Sequence, residues 1–274
     1  MGVDFSAYAR QPDDELDLLT GAILIAADAY PGLDQTELVR RIDELAEPLA
    51  RRGLADLPAR AQARALGDYL GLACGFRGNA EDYYEPENSF LNDVLTRRVG
   101  IPISLAVLYV EVARRVGVRA NGVGFPGHFL VRVEDADRPV VVDPFNGGAI
   151  LTQSDLARLL EKSGYRGPFA PAMLDPTPPR HVIARMLMNL RGIYAARGDY
   201  PRLLLVLDRF IDLLPESTEE FRDRGYLLAR LGAPEAAVED LSAYVERLPQ
   251  AGDVAEVREF IQRLRDAGQN RLRS

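Results

Sequence analysis

The chain of 274 residues predicts an α+β fold that passes into an all-α segment. Three observations carry that expectation. Residues Pro102 to Val116, "PISLAVLYVEVARRV", are apolar on nearly every face, as a helix enclosed by a core must be. The stretch "HFLVRV" that follows has the two-residue period of a strand, with His128, Leu130 and Arg132 on one face. Beyond residue 181, helical patterns recur with glycines and prolines 34 residues apart, Gly198 with Gly232 and Pro215 with Pro249.

Taken in order, residues 12–30, 34–52 and 56–74 place apolar side chains at helical spacing, punctuated by Pro31-Gly32, Gly53 and Gly75. Pro48 is expected to kink or shorten the second helix. A polar loop, "NAEDYYEPENS", leads to a short helix, "FLNDVLTRR". Pro102 suits the first turn of the buried helix, where its missing N–H costs nothing, and Gly117 suits its stop. The helix and the strands after it predict a central buried helix against an antiparallel sheet. If Asp135-Ala136 is a two-residue turn, Glu134 pairs with Asp137 and His128 stands directly opposite Asp143. Opposed Cβ atoms lie about 4.5–5.5 Å apart, within reach of an imidazole–carboxylate hydrogen bond. Five prolines in "GPFAPAMLDPTPPRH" predict a linker over 167–181. The expected division is therefore 1–166, including the N-terminal helices, then the linker, then 182–274.

That last segment has the period and helix–turn–helix pattern of tetratricopeptide repeats. Leu187, Leu190, Tyr194, Leu207 and Phe210 take the large apolar positions of the first repeat. Phe221, Gly225, Leu228, Ala237, Leu241 and Tyr244 take those of the second. Leu203 departs from the pattern, which prefers a small residue there. Residues 252–267 are expected to cap the stack as one more helix.

Composition narrows the function classes. A formal charge of −8 argues against a nucleic-acid surface or a basic membrane patch, both of which need clustered cations. Cys74, the single cysteine, has no partner for an intramolecular disulfide, which points to the cytoplasm. The opening "MGVDFSAYARQPDDELD" is acidic where a signal peptide is basic, and "GAILIAA" is too short to span a bilayer. No P-loop is present and no His, Cys and carboxylate cluster has metal-ligand spacing, so neither a cofactor nor a metal is expected. "GVGFPG" matches a dinucleotide fingerprint in letters only, because it leads into a strand and not a helix.

The stretches "GIPISLAVLYVEVARRVGV", "GHFLV" and "VVDPFN" together resemble a transglutaminase-like, papain-related core. With the C-terminal repeats, the whole chain resembles the bacterial SirB-type proteins. The resemblance implies a cysteine at the start of the buried helix, a strand histidine and an aspartate before proline. His128 and Asp143 match the last two. In active relatives the helix opens Gly-x-Cys, with Arg and Gly 12 and 15 residues after the cysteine. Here Arg114 and Gly117 count back to Pro102, which has no atom able to attack a carbonyl.

Two residues offer a substitute. Ser104 is the nearest hydroxyl, turned about 200° around the helix from position 102, and its ordinary role is a first-turn hydrogen bond. Cys74 ends an apolar helix, where a free cysteine usually serves as a small hydrophobe. The His128–Asp143 pair is either a general base in waiting or an inherited bond that fixes the hairpin. The leading expectation is a pseudoenzyme that binds a protein or peptide. Its cleft would be lined by Pro102, Asn92, Phe125 and Asn146 beside the relic site of His128, Asp143 and Ser104. The alternative is a hydrolase or acyl transferase with Ser104 or Cys74 as displaced nucleophile. A third reading makes the repeats merely the completion of one structural unit.

Overall fold

The computed structural model describes residues 4–135 and 138–271. Short acids begin its first helices. Asp4 accepts the Ala7 N–H at α1 (Phe5–Ala9), Asp17 the Thr20 N–H at α2 (Leu18–Ala29), and Asp34 the Glu37 N–H at α3 (Gln35–Ala50). Each pairs a backbone donor that a first helical turn leaves unsatisfied. Helix therefore starts after Asp17, later than the apolar spacing from residue 12 suggests. Pro48 sits in the last turn of α3, which stops at Ala50. The next helix, α4 (Ala59–Gly67), runs into a wide π-helical turn over Asp68–Ala73. There a Cβ on Gly71 would lie 1.9 Å from the Gly147 carbonyl oxygen, so only glycine permits the approach.

A parallel pair of two-residue strands, β1 (Arg77–Gly78) and β2 (Val99–Gly100), flanks a loop, a 3₁₀ turn at Pro86–Ser89 and α5 (Leu91–Arg97). Next comes the expected central helix, α6 (Pro102–Arg115), with Pro102 in its first turn. Leu105, Leu108 and Val112 are wholly buried on it, each contributing roughly 1.5–3 kcal/mol relative to exposure. Gly117, at φ 72°, turns the chain out of the helix.

Four strands follow and form one antiparallel sheet in chain order: β3 (Ala120–Val123), β4 (Leu130–Val133), β5 (Val140–Asp143) and β6 (Ala149–Ile150). The register differs from the expected one. A pairing of Glu134 with Asp137 would put Val131 opposite Val140, whereas the structure puts Val131 opposite Val142. Two causes act together: β4 begins only at Leu130, and the connection back from Val133 to Val140 is longer than a two-residue turn. Ala136 and Asp137 themselves lie outside the described residues. Because side chains alternate, a slip of two residues leaves every one on its original face.

Thr152 and Asp155 cap α7 (Gln153–Lys162) reciprocally. Its Leu156 and Leu160 join Val123, Phe125, Leu130 and Val141 in a core beneath the sheet. The proline-rich segment is bonded to β3 and β4. Thr177 N–H donates to the Gly122 carbonyl, and Arg132 Nη1 donates to the Leu174 carbonyl at 2.6 Å.

Two units result, Gln11–Met186 and Leu187–Ser274 with Met1–Arg10, so that their division falls inside α8 (Pro179–Arg197). The second unit continues with α9 (Tyr200–Leu213), α10 (Glu219–Arg230), α11 (Pro234–Arg247) and α12 (Val254–Arg271). Gly198 and Gly232 take the same left-handed φ, 67° and 82°, at equivalent helix ends. Arg224 of α10 binds Asp208 of α9 and Asp240 of α11, which ties the two repeats together. The architecture is thus mixed helix and antiparallel sheet followed by helical repeats, as the sequence predicts. Among the described residues no helix is long and apolar enough to cross a membrane.

Candidate functional site

His128 reaches its place through a turn. Its N–H donates to the Phe125 carbonyl at 3.0 Å across Pro126-Gly127, and Gly127 has φ 67°. Proline followed by a left-handed glycine is the type II pattern. The turn delays β4 and holds the imidazole beside the end of β5. There Nε2 lies 3.0 Å from Asp143 Oδ1. The pair is therefore diagonal across the hairpin, not directly opposed.

Asp143 is held from all sides. Its Oδ1 also accepts the N–H groups of Phe145 and Asn146, and its Oδ2 accepts Asn146 Nδ2 at 2.6 Å. Burial pushes the carboxyl up, but the bond and charge of His128 and the donors of Asn146 outweigh it. The group is held below the usual aspartate value. An ionised Asp143 makes Nε2 the protonated ring nitrogen. Nδ1 then accepts a hydrogen bond in the neutral ring and donates one in the imidazolium. Among the described residues, Asp143 is the one hydrogen-bond partner of this ring, whose side chain is 12% exposed. Phe145 meets the imidazole edge-on with centroids 5.9 Å apart.

The start of α6 is built differently. Pro102 and Ser104 are both buried. Ser104 Oγ donates to the Asn88 carbonyl at 2.6 Å and accepts the Ile101 N–H at 3.2 Å. Asn88, itself fully buried, donates through Nδ2 to the carbonyls of Asp82 and Tyr83 and accepts Asn79 Nδ2. This knot pins the 79–90 loop onto the helix start. Gly78 completes it by donating its N–H to the Phe145 carbonyl at 2.8 Å. No hydrogen bond joins His128 to Ser104 or Cys74 among the described residues. Cys74 is half-buried near Tyr69, whose hydroxyl is pushed up to about 12 by burial and by the thiol.

The residues expected to line a cleft separate into groups. Asn146 serves Asp143. Phe125 is a core side chain that offers only its carbonyl. Asn92, on α5, has a buried Oδ1 with no partner, as has the Ser89 hydroxyl three residues before it. Sequence reading did not name Phe145, Tyr83, Asn88 or Arg185. Tyr83 is 37% exposed and packs its ring against Phe145 at 6.1 Å. Arg185 donates from Nη2 to the carbonyls of Phe125 and His128, the two ends of the turn. A Pro-Gly pair before a histidine signals such a turn, but nothing in the sequence links it to residue 185. Among the described residues, no group of three or more His, Cys, Asp and Glu gathers to hold a metal ion.

Comparison with known proteins shows the family. Residues 36–188 match the model of the transglutaminase-like superfamily, and residues 190–262 match a tetratricopeptide-repeat model. A "UPF0162 protein" of Xylella fastidiosa is 39% identical over 258 residues, covering 91% of this chain and 90% of that protein. A Pseudomonas aeruginosa "UPF0162 protein" is 32% identical over 227 residues, or 82% of each chain. Human "F-box only protein 21" is 27% identical over 262 residues, covering 84% of this chain and 41% of that longer protein.

Proposed function

The chain belongs to the transglutaminase-like superfamily, in the SirB-type group that joins this core to tetratricopeptide repeats, and from that premise we propose a binding function without acyl transfer. It is a cytoplasmic pseudoenzyme that captures a protein or peptide. One observation carries the reading: the hydroxyl nearest the vacated nucleophile position, Ser104 Oγ, is spent on the Asn88 carbonyl and the Ile101 N–H. Pro102 beside it has no reactive atom. A general base with nothing to deprotonate does no covalent chemistry. The retained His128–Asp143 bond then serves to hold the turn and to present a spare ring nitrogen to a ligand.

Tetratricopeptide repeats are protein-binding elements in general, and stacked helices offer extended surfaces to partners. Acidic net charge and the single cysteine support a soluble partner met in a reducing compartment, with no nucleic acid or membrane involved. The test is labelling of the full chain with a chloroacetamide and a fluorophosphonate, followed by peptide mapping. The reading expects no modification that depends on His128. Labelling of Ser104 or Cys74 that disappears in His128→Ala would replace it with a hydrolase or acyl transferase using a displaced nucleophile.

A further inference from the structure

The larger unit holds a partly buried cation, Arg185 on the first half of α8, with no counter-ion among the described residues. Its Nη2 lies 3.0 Å from the His128 carbonyl oxygen and 3.3 Å from that of Phe125, and its Cζ lies 5.5 Å from the Phe129 ring centre. These contacts fix the guanidinium but, among the described residues, leave Nε and Nη1 without acceptors. Burial lowers its pKa from the ordinary arginine value, an effect the nearby Tyr83 opposes. A charge withdrawn from water is normally paired. Neither the loop acids Glu81, Asp82, Glu85 and Glu87 nor Asp143 supplies the pair, and Asp143 is already saturated.

The open edge of this guanidinium has a second mark. Gly124 is exposed, and a Cβ there would come within 2.9 Å of Arg185 Nη1. The absent side chain leaves Nη1 uncovered. Tyr83, packed on Phe145, supplies an exposed aromatic wall in the same region, and Phe145 carries the wall to the His128 ring.

We propose that Arg185, approached past Gly124 and flanked by Tyr83 and the His128 turn, is the receptor for a carboxylate on the captured peptide. The proposal rests on the binding reading above and names the chemistry of the ligand. With Nη2 held by the two carbonyls, Nη1 offers its N–H groups to a carboxylate oxygen, and partial desolvation strengthens that charge-assisted bond. The aromatic wall takes an apolar residue next to the acid. The carboxylate comes from either a chain terminus or an Asp or Glu side chain.

Arginine side-chain NMR of the full-length protein separates these cases with three probes. Hippurate carries a terminal carboxylate beside an aromatic acyl group. N-acetyl-Phe-Glu-amide carries a side-chain carboxylate with both ends blocked, and N-acetyl-Phe-Gln-amide is its neutral control. We expect at least one acid to shift the Arg185 signal and to bind roughly tenfold or more tighter than the control. Which acid does so identifies the source. Arg185→Gln should abolish that preference, and Arg185→Lys should keep part of it. Gly124→Ala, whose Cβ crowds Nη1 and also comes within 3.2 Å of Thr177 Oγ1, should weaken the acids and leave the control unchanged. Equal binding of acid and control overturns the carboxylate receptor while the binding reading stands. Absence of binding by every probe, or a preference that survives Arg185→Gln, overturns it too. The binding reading fails separately, through His128-dependent covalent labelling.

Discussion

The start of α6 and the end of the β4–β5 hairpin, which the proposed reading takes as two halves of one site, are built in opposite ways. At the helix start every polar group is turned inward. Ser104, Asn88 and Ile101 bond one another, and the loop 79–90 is fastened over them. At the hairpin the polar geometry of a general base is kept, with Asp143 orienting His128 and one ring nitrogen left over. On the proposed reading, a position without a reactive atom is free to become structure, and the hydrogen bonds at Ser104 serve that end. The hairpin half keeps a ring nitrogen with no partner among the described residues, on a turn closed by the His128 N–H and the Phe125 carbonyl.

The contrast predicts unequal costs. Asp143→Ala should destabilise most, by about 3 kcal/mol, since it strands the donors of His128, Phe145 and Asn146 at a buried position. Urea unfolding of the two proteins measures it, and a loss under 1 kcal/mol would mean that the network is slack. Ser104→Ala should cost roughly 1–2 kcal/mol, because the Ile101 N–H retains the Asn88 carbonyl as its acceptor. It should leave electrophile labelling unchanged; any labelling lost with the hydroxyl would return Ser104 to the chemistry.

Acid sharpens the comparison further, with a smaller effect. Asp143 has a folded pKa below its unfolded value. Its contribution to stability is complete above the ordinary carboxylate pKa of about 4 and is lost as the pH falls through the lower folded value. Unfolding midpoints measured downward from pH 6 should therefore drop more steeply for the natural protein than for Asp143→Asn. Parallel curves would show that the carboxyl is not held ionised by its neighbours. Smallest of all is the His128–Asp143 coupling itself, expected near 1 kcal/mol in a double-mutant cycle.

Much of this was legible in the chain, for reasons that differ by region. A helix apolar on every face announces burial whatever surrounds it, so α6 could be placed from its own residues. A 34-residue period is equally local, and it delivered α8 to α12. The hairpin was harder. Its register depends on the connection from Val133 to Val140, which is longer than the two-residue turn expected, and the Phe125–His128 turn starts β4 only at Leu130. The face assignment survived only because the slip was even. Asn88 looked like any loop asparagine, since its partners are carbonyls that sequence does not display. Arg185 stands 57 residues from His128, and their contact is created by the folding of the proline-rich segment onto β3 and β4.

The central claim is that the hairpin half keeps a general base for which the helix half no longer provides a nucleophile. Its most direct test is Pro102→Cys in a Cys74→Ser background, with the iodoacetamide reaction followed at pH 7. An unperturbed thiol is only a few per cent ionised there. If the base still stands, the introduced thiol should alkylate about tenfold faster or more than in the same protein carrying His128→Ala. Equal rates in the two proteins would contradict the account, because His128 would then have no reach to the position that Pro102 fills.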